Sequence, residues 1–80
     1  MRRGIRGKAE NAVAIRVNLE TAMEKRRVGL TELSDKSGVS LRNLTILREN
    51  RAKAIRMTTL ESICRVLDCQ PGDILEFTEK

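Results

Sequence analysis

Eighty residues carry 16 Lys and Arg against 11 Asp and Glu, a net charge of +5, which is one small domain with a modest core and a prior towards polyanions. His, Trp and Tyr are absent and Phe77 is the single aromatic residue, so the commonest general base and metal ligand is missing and stacking platforms for single strands have little to be built from. Neither an enzyme, a metal centre nor a cofactor site is expected, and no apolar run reaches the roughly 18 residues of a membrane span.

Residues 1–12 hold Arg2, Arg3, Arg6 and Lys8 with Gly4 and Gly7 and no apolar periodicity, so they are expected to be a disordered basic arm, with the folded domain over 13–80. The opening MRRGIRGKAEN has the charge of a signal peptide's start but no apolar stretch behind it, which makes the cytoplasm the expected location. Val13, Ile15 and Val17 alternate with Ala14 and Arg16, the pattern of one short strand. Asn18 is then a good N-cap for a first helix in which Leu19, Ala22 and Met23 repeat at helical spacing until EKRR and Gly29.

Gly29 and Glu32 suit the N-cap and third position of a second helix over Leu30 to Ser37. Gly38 fits its C-terminal stop, where a left-handed conformation is nearly free only for glycine. Ser40 caps a third helix, expected from Leu41 to about Glu49, and Val39 is set to pack on Leu44. The turn is then about three residues long, and two helices joined so tightly cross steeply, as in a helix-turn-helix. Leu44 and Leu47 point inward on the third helix. At about 100° per residue the opposite face holds Arg42, Thr45, Ile46 and Glu49, with Leu41 and Arg48 on the flanks.

Asn50 is a tolerable left-handed stop, and the loop RAKAIR follows. Thr58 and Glu61 are spaced as a capping box for a fourth helix, whose Leu60, Ile63, Cys64 and Leu67 follow the i, i+3, i+4, i+7 pattern. Cys64 and Cys69 stand five apart, a spacing that puts them on different faces of a helix and matches no two-pair zinc pattern, so both are expected as thiols with Cys64 in the core. Pro71 opens a short fifth helix through Leu75, and EFTEK trails off as a strand. Positive charge is concentrated in two blocks: residues 1–16 and residues 40–56 each carry five bases against one acid, a net of +4, whereas 57–80 carries −3.

From Ala14 to Phe77 the chain resembles the lambda-repressor/Cro-type helix-turn-helix domains of the xenobiotic-response-element family. The resemblance rests on LTELSDKSGVSLRNLTIL, on the downstream RAKAIRMTTLESICRVLDCQPGDIL, and on their spacing. Ser34, Gly38, Leu44 and Leu47 stand where that family wants a small residue, a turn glycine and two apolar contacts. It implies an all-α, compact five-helix DNA-binding domain, usually a dimeric transcriptional regulator of double-stranded DNA. It also implies roles by position: Ser40, Leu41, Arg42, Thr45 and Ile46 face bases, Leu30 and Lys53 touch phosphates, and Arg56 lies near the minor groove. Arg48 and Arg51 join the residues expected at the DNA backbone. Two departures stand out, since polar or basic side chains are usual at Leu41 and Ile46, and glycine is usual at Asn50.

Two functional classes therefore compete. One is a sequence-specific regulator, a repressor by the resemblance, with its third helix in the major groove. The other is a protein-interaction module, such as an antitoxin or partner subunit, that uses Leu41 and Ile46 as an apolar surface. A homodimer is expected through the short end segments: Val13, Ile15 and Val17 could pair with Leu75 and Phe77, leaving an edge together with Ile74 and Phe77 for a second chain. The alternative is that these residues only close the monomer's own core.

Overall fold

Leu19, Leu33, Leu44, Ile63, Leu67 and Ile74 are each no more than 1% exposed, and they come from every helix of the chain. The computed structural model describes residues 14–78; the expected basic arm and Val13 lie outside the described residues. The order of elements is β1 (Ile15–Val17), α1 (Leu19–Arg26), α2 (Leu30–Ser37), α3 (Leu41–Arg48), α4 (Met57–Leu67), α5 (Pro71–Ile74) and β2 (Leu75–Phe77). Among the described residues this is a five-helix, all-α domain with one two-stranded antiparallel pairing, as expected from the sequence.

The helices form because each buries a short apolar stripe against one shared centre. Ala22 and Met23 of α1, Leu47 of α3, Leu60 of α4 and the turn residue Val39 complete the buried set. β1 and β2 pair with Ile15 opposite Phe77, Arg16 opposite Glu76 and Val17 opposite Leu75. Val17 and Leu75 pack on the core's edge, while Ile15 and Phe77 remain 45% and 64% exposed. The pairing therefore closes one flank of the core and leaves an apolar remainder outside. Ile74, expected to be open to a second chain, is buried instead.

Several boundaries differ from the sequence expectation. α1 ends at Arg26, with Arg27 left-handed at φ 57, and Gly29 is already the cap of α2. A guanidinium nitrogen of Arg26 donates to the Asp68 carbonyl at 2.8 Å, so the end of α1 is tied to the end of α4. Asn18 occupies the cap position of α1 without capping it; its side-chain amide donates to Glu76 at 2.8 Å and its backbone N–H to Ile74 at 2.6 Å. The needs of the strand pairing outrank the cap.

The expected capping box of α4 does not form. Ile55 packs on the core and brings the chain into helical register early, so Arg56 is the N-cap and Thr58 lies inside the first turn, its carbonyl accepting from Ser62 at 3.0 Å. Glu61 instead pairs with Arg65 at 2.5 Å. α5 stops at Ile74 because Leu75 is already extended, and α3 stops at Arg48.

The cysteines do not share a helix. Asp68 is left-handed at φ 51, and Cys69 turns back so that its N–H donates to the Cys64 carbonyl at 3.1 Å. This is the six-to-one bond of a Schellman stop, whose usual apolar contact is made here by the two thiols. Both are half-buried free thiols, so Cys64 borders the core instead of lying in it. Burial, first, and then the neighbouring Cys64 push the Cys69 thiol up to about 11.

The bend between α2 and α3 rests on Gly38, left-handed at φ 79. A Cβ there would meet nothing within 4 Å, so Gly38→Ala is expected to cost only the backbone strain, about 1–2 kcal/mol. Urea unfolding measures it. A loss above about 4 kcal/mol would require a clash that this open position does not contain.

Candidate nucleic-acid interface

The turn that joins α2 to α3 is fastened by side chains on both sides of the glycine. The Ser34 hydroxyl donates to the Val39 carbonyl at 2.7 Å, and the Val39 N–H donates to the Ser37 hydroxyl at 3.1 Å. The Ser40 hydroxyl accepts from the Asn43 N–H at 3.1 Å and so caps α3 as expected. With Leu44 and Leu47 buried, α3 has a single rotational setting, and its other face is presented outward.

On that face Ser40, Leu41 and Arg42 are exposed, while Thr45, Ile46 and Arg48 are half-buried. Arg42 thus extends from the first turn of α3 into open space. Thr45 uses its proton inside the helix, donating to the Leu41 carbonyl at 2.9 Å, which leaves its oxygen free to accept. Leu41 is 45% exposed. Asn43, which the helical wheel does not single out, is exposed and lines one groove with Ile46 and Arg56. An amide has the donor and acceptor pair that suits adenine, and its proximity to the loop after α3 could not be read from sequence spacing.

The loop supplies the remaining cations. Lys53 and Arg56 are exposed, Arg56 leaving from the head of α4 beside Ile46. Arg51 is held by Glu49, Nε to Oε1 at 2.9 Å. Leu30 is half-buried against the core at the head of α2.

The two helix heads differ electrically. α3 has no acid in its first turn, so its unbonded N–H groups and dipole offer an undisturbed anion site. α2 carries Glu32 there, and the Glu32 carboxylate also meets the Gly29 N–H.

A family model of the Cro/C1-type HTH DNA-binding domain matches residues 18–80. The chain belongs to that family. It is also 51% identical over 65 residues, 81% of this chain and 77% of the other, to the uncharacterized HTH-type transcriptional regulator YozG of Bacillus subtilis (strain 168). The outward side of α3 and the loop behind it adjoin, Asn43 and Ile46 lining one groove with Arg56. No helix among the described residues is long and apolar enough to cross a membrane, and no group of three candidate metal ligands occurs among them.

Lys36 hydrogen-bonds Glu32 at 2.9 Å and, with its charge and the Gly29 N–H, holds the Glu32 carboxyl below its ordinary value of 4.5. A depressed carboxylate stabilises the fold above the unfolded value and loses that contribution as pH falls through the folded one. An NMR titration of the Glu32 carboxyl carbon should therefore give a midpoint below 4.5 that rises in Lys36→Met. A midpoint indifferent to that substitution would mean that the pair does not persist in solution.

Proposed function

We propose that this chain is a sequence-specific transcriptional regulator, a repressor that occupies its operator as a homodimer in the cytoplasm. The observation that carries the reading is the coincidence of the outward face of α3 with the +4 block of residues 40–56. Backbone amides at the heads of α2 and α3 bind phosphates and set register, because unsatisfied N–H groups and the helix dipole favour anions there. α3 then lies in the major groove. Arg42 pairs bidentately with guanine O6 and N7, Asn43 and Thr45 reach neighbouring base edges, and Leu41 and Ile46 contact thymine methyls. Lys53, Arg48 and Arg51 meet the phosphate backbone, Arg51 by exchanging Glu49 for a phosphate, and Arg56 approaches the minor groove. Occupying the operator excludes polymerase.

One short helix reads too few base pairs to single out a genomic site, and a two-fold pair doubles the contact. The surface for it is the apolar groove of about 330 Å³ beside the strand pair, lined by Ile15, Leu47, Ile55, Leu75 and Phe77 among others. A second copy covers the exposed Ile15 and Phe77. A rival reading, in which α3 binds a protein as an antitoxin or partner subunit does, draws on the exposure of Leu41.

Gel-shift selection from a random duplex pool separates the two: enrichment of one palindromic motif supports the regulator, and uniform weak binding supports the rival. On the selected site, Arg42→Ala is expected to cost about 1–3 kcal/mol and to relax preference at one base pair. Lys53→Ala should weaken all sequences about equally and reduce the log-affinity against log-salt slope by about one. Equal loss on random and selected DNA for Arg42→Ala would make that residue a phosphate contact only.

Sedimentation equilibrium at tens of micromolar should give a dimer mass for the wild type and a monomer mass for Phe77→Ser. Because Phe77 is exposed, that variant should keep its far-UV circular dichroism. A monomeric wild type would remove the homodimer from the proposal.

A further inference from the structure

Asn50 stands two residues beyond the end of α3, left-handed at φ 61. Its side-chain oxygen accepts from the Val17 N–H at 2.6 Å, and its side-chain nitrogen donates to the Val17 carbonyl at 3.1 Å. One side-chain amide thus takes both peptide groups of a single strand residue, as a neighbouring strand would.

The strand register explains why those groups are available. Asn18 N–H donates to Ile74 at 2.6 Å and Thr78 N–H to Ala14 at 2.8 Å, so with Arg16 opposite Glu76 the even-numbered residues of this segment turn their peptide groups towards β2. In an antiparallel pair the alternate residues turn theirs the other way. Val17 therefore offers an N–H and a carbonyl on the outer edge of β1, an edge that would otherwise be open to any extended chain. Asn50 closes it.

The position of this link is what matters for reading DNA. The strand pair runs covalently into α1 at Val17–Leu19 and out of α5 at Ile74–Leu75, so its chain connections lead away from the recognition helix. Asn50 is its hydrogen-bonded tie to the end of α3, beside the open apolar groove that Leu47, Ile55 and Leu75 line together. A glycine at this position would keep the left-handed turn at no strain and would lose both bonds. We infer that Asn50 is a positioning residue that fixes the angle between the strand pair and the recognition helix, and so sets the half-site spacing that the dimer accepts. This rests on the proposed dimer and DNA surface. In such a dimer the strand pairs meet at the two-fold axis and the α3 helices lie outboard, so any play between the two is transmitted to the separation of the half-sites. Half-sites on one face of a duplex lie about one turn apart, 34–36 Å, and each added base pair moves them by about 3.4 Å and rotates one around the axis.

The test uses the selected palindrome, the same palindrome with one or two base pairs added to or removed from its centre, and a single half-site. The wild type should lose at least tenfold in affinity on each altered spacer. Asn50→Gly should lose less than threefold on the same spacers, bind the single half-site within twofold of the wild type, and remain a dimer, while the Val17 amide exchanges at least tenfold faster with solvent. Asn50→Asp, which keeps an acceptor for the Val17 N–H but sets a carboxylate against the Val17 carbonyl, should broaden the spacing in the same way and carries the test if the glycine variant does not fold. An unchanged spacing penalty in a folded variant overturns the inference alone. So does a variant that dissociates, because Asn50 would then build the interface instead of setting its angle. A wild type that binds one motif without any spacing preference overturns the inference together with the dimer, and one that enriches no motif overturns the DNA reading beneath both.

Discussion

Everything on the outward side of this domain depends on how α3 is rotated, and that rotation is decided by the few bonds of a three-residue turn. Gly38 supplies a left-handed step that a side chain would resist. Ser34 and Ser37 then satisfy the carbonyl and the N–H of Val39, which lets Val39 enter the core without leaving a buried polar group unpaired. Leu44 and Leu47 follow it inward one and two turns on. Arg42, Asn43 and Ile46 are outward because those three are inward.

That constraint also orders the charge. The four-base excess of residues 40–56 is carried by an α3 whose leading turn has no acid and by a loop behind it, whereas α2 spends Glu32 on its own head and on Lys36. The head of α3 is thereby the more favourable of the two for an anion. In the proposed complex Leu41 is an apolar contact flanked by Arg42; by itself it is an isolated exposed leucine, which many surfaces tolerate.

The helices and their buried faces were legible in the sequence because period and caps report on local backbone choices: Gly29, Gly38, Ser40 and Pro71 each mark a boundary that the structure keeps. What escaped was decided by residues far apart in the chain. Asn18 reads as a cap and is diverted to Glu76, 58 residues away. Asn50 reads as a left-handed stop, which it is, but its side chain is claimed by Val17. Thr58 and Glu61 have the spacing of a capping box, and the early start of α4 is set by Ile55 reaching the core. The thiols seemed separated on a helical wheel until a left-handed Asp68 folded one back on the other. The candidate surface was legible as a helix face; its union with Asn43 and Arg56 needed the path of the loop.

The pairing of residues 15–17 with residues 75–77 has a bearing on the order of assembly. It closes a loop of nearly the whole domain, and such a contact is formed late because the entropy of closure must be met before any of its bonds exist. β2 directly follows α5 in the chain, so at a synthesis rate of about 5–20 residues per second the pairing can close within about a second of the last helix. Asn50 precedes β2 in the chain, so the groups that bond Val17 are made before the partner strand is.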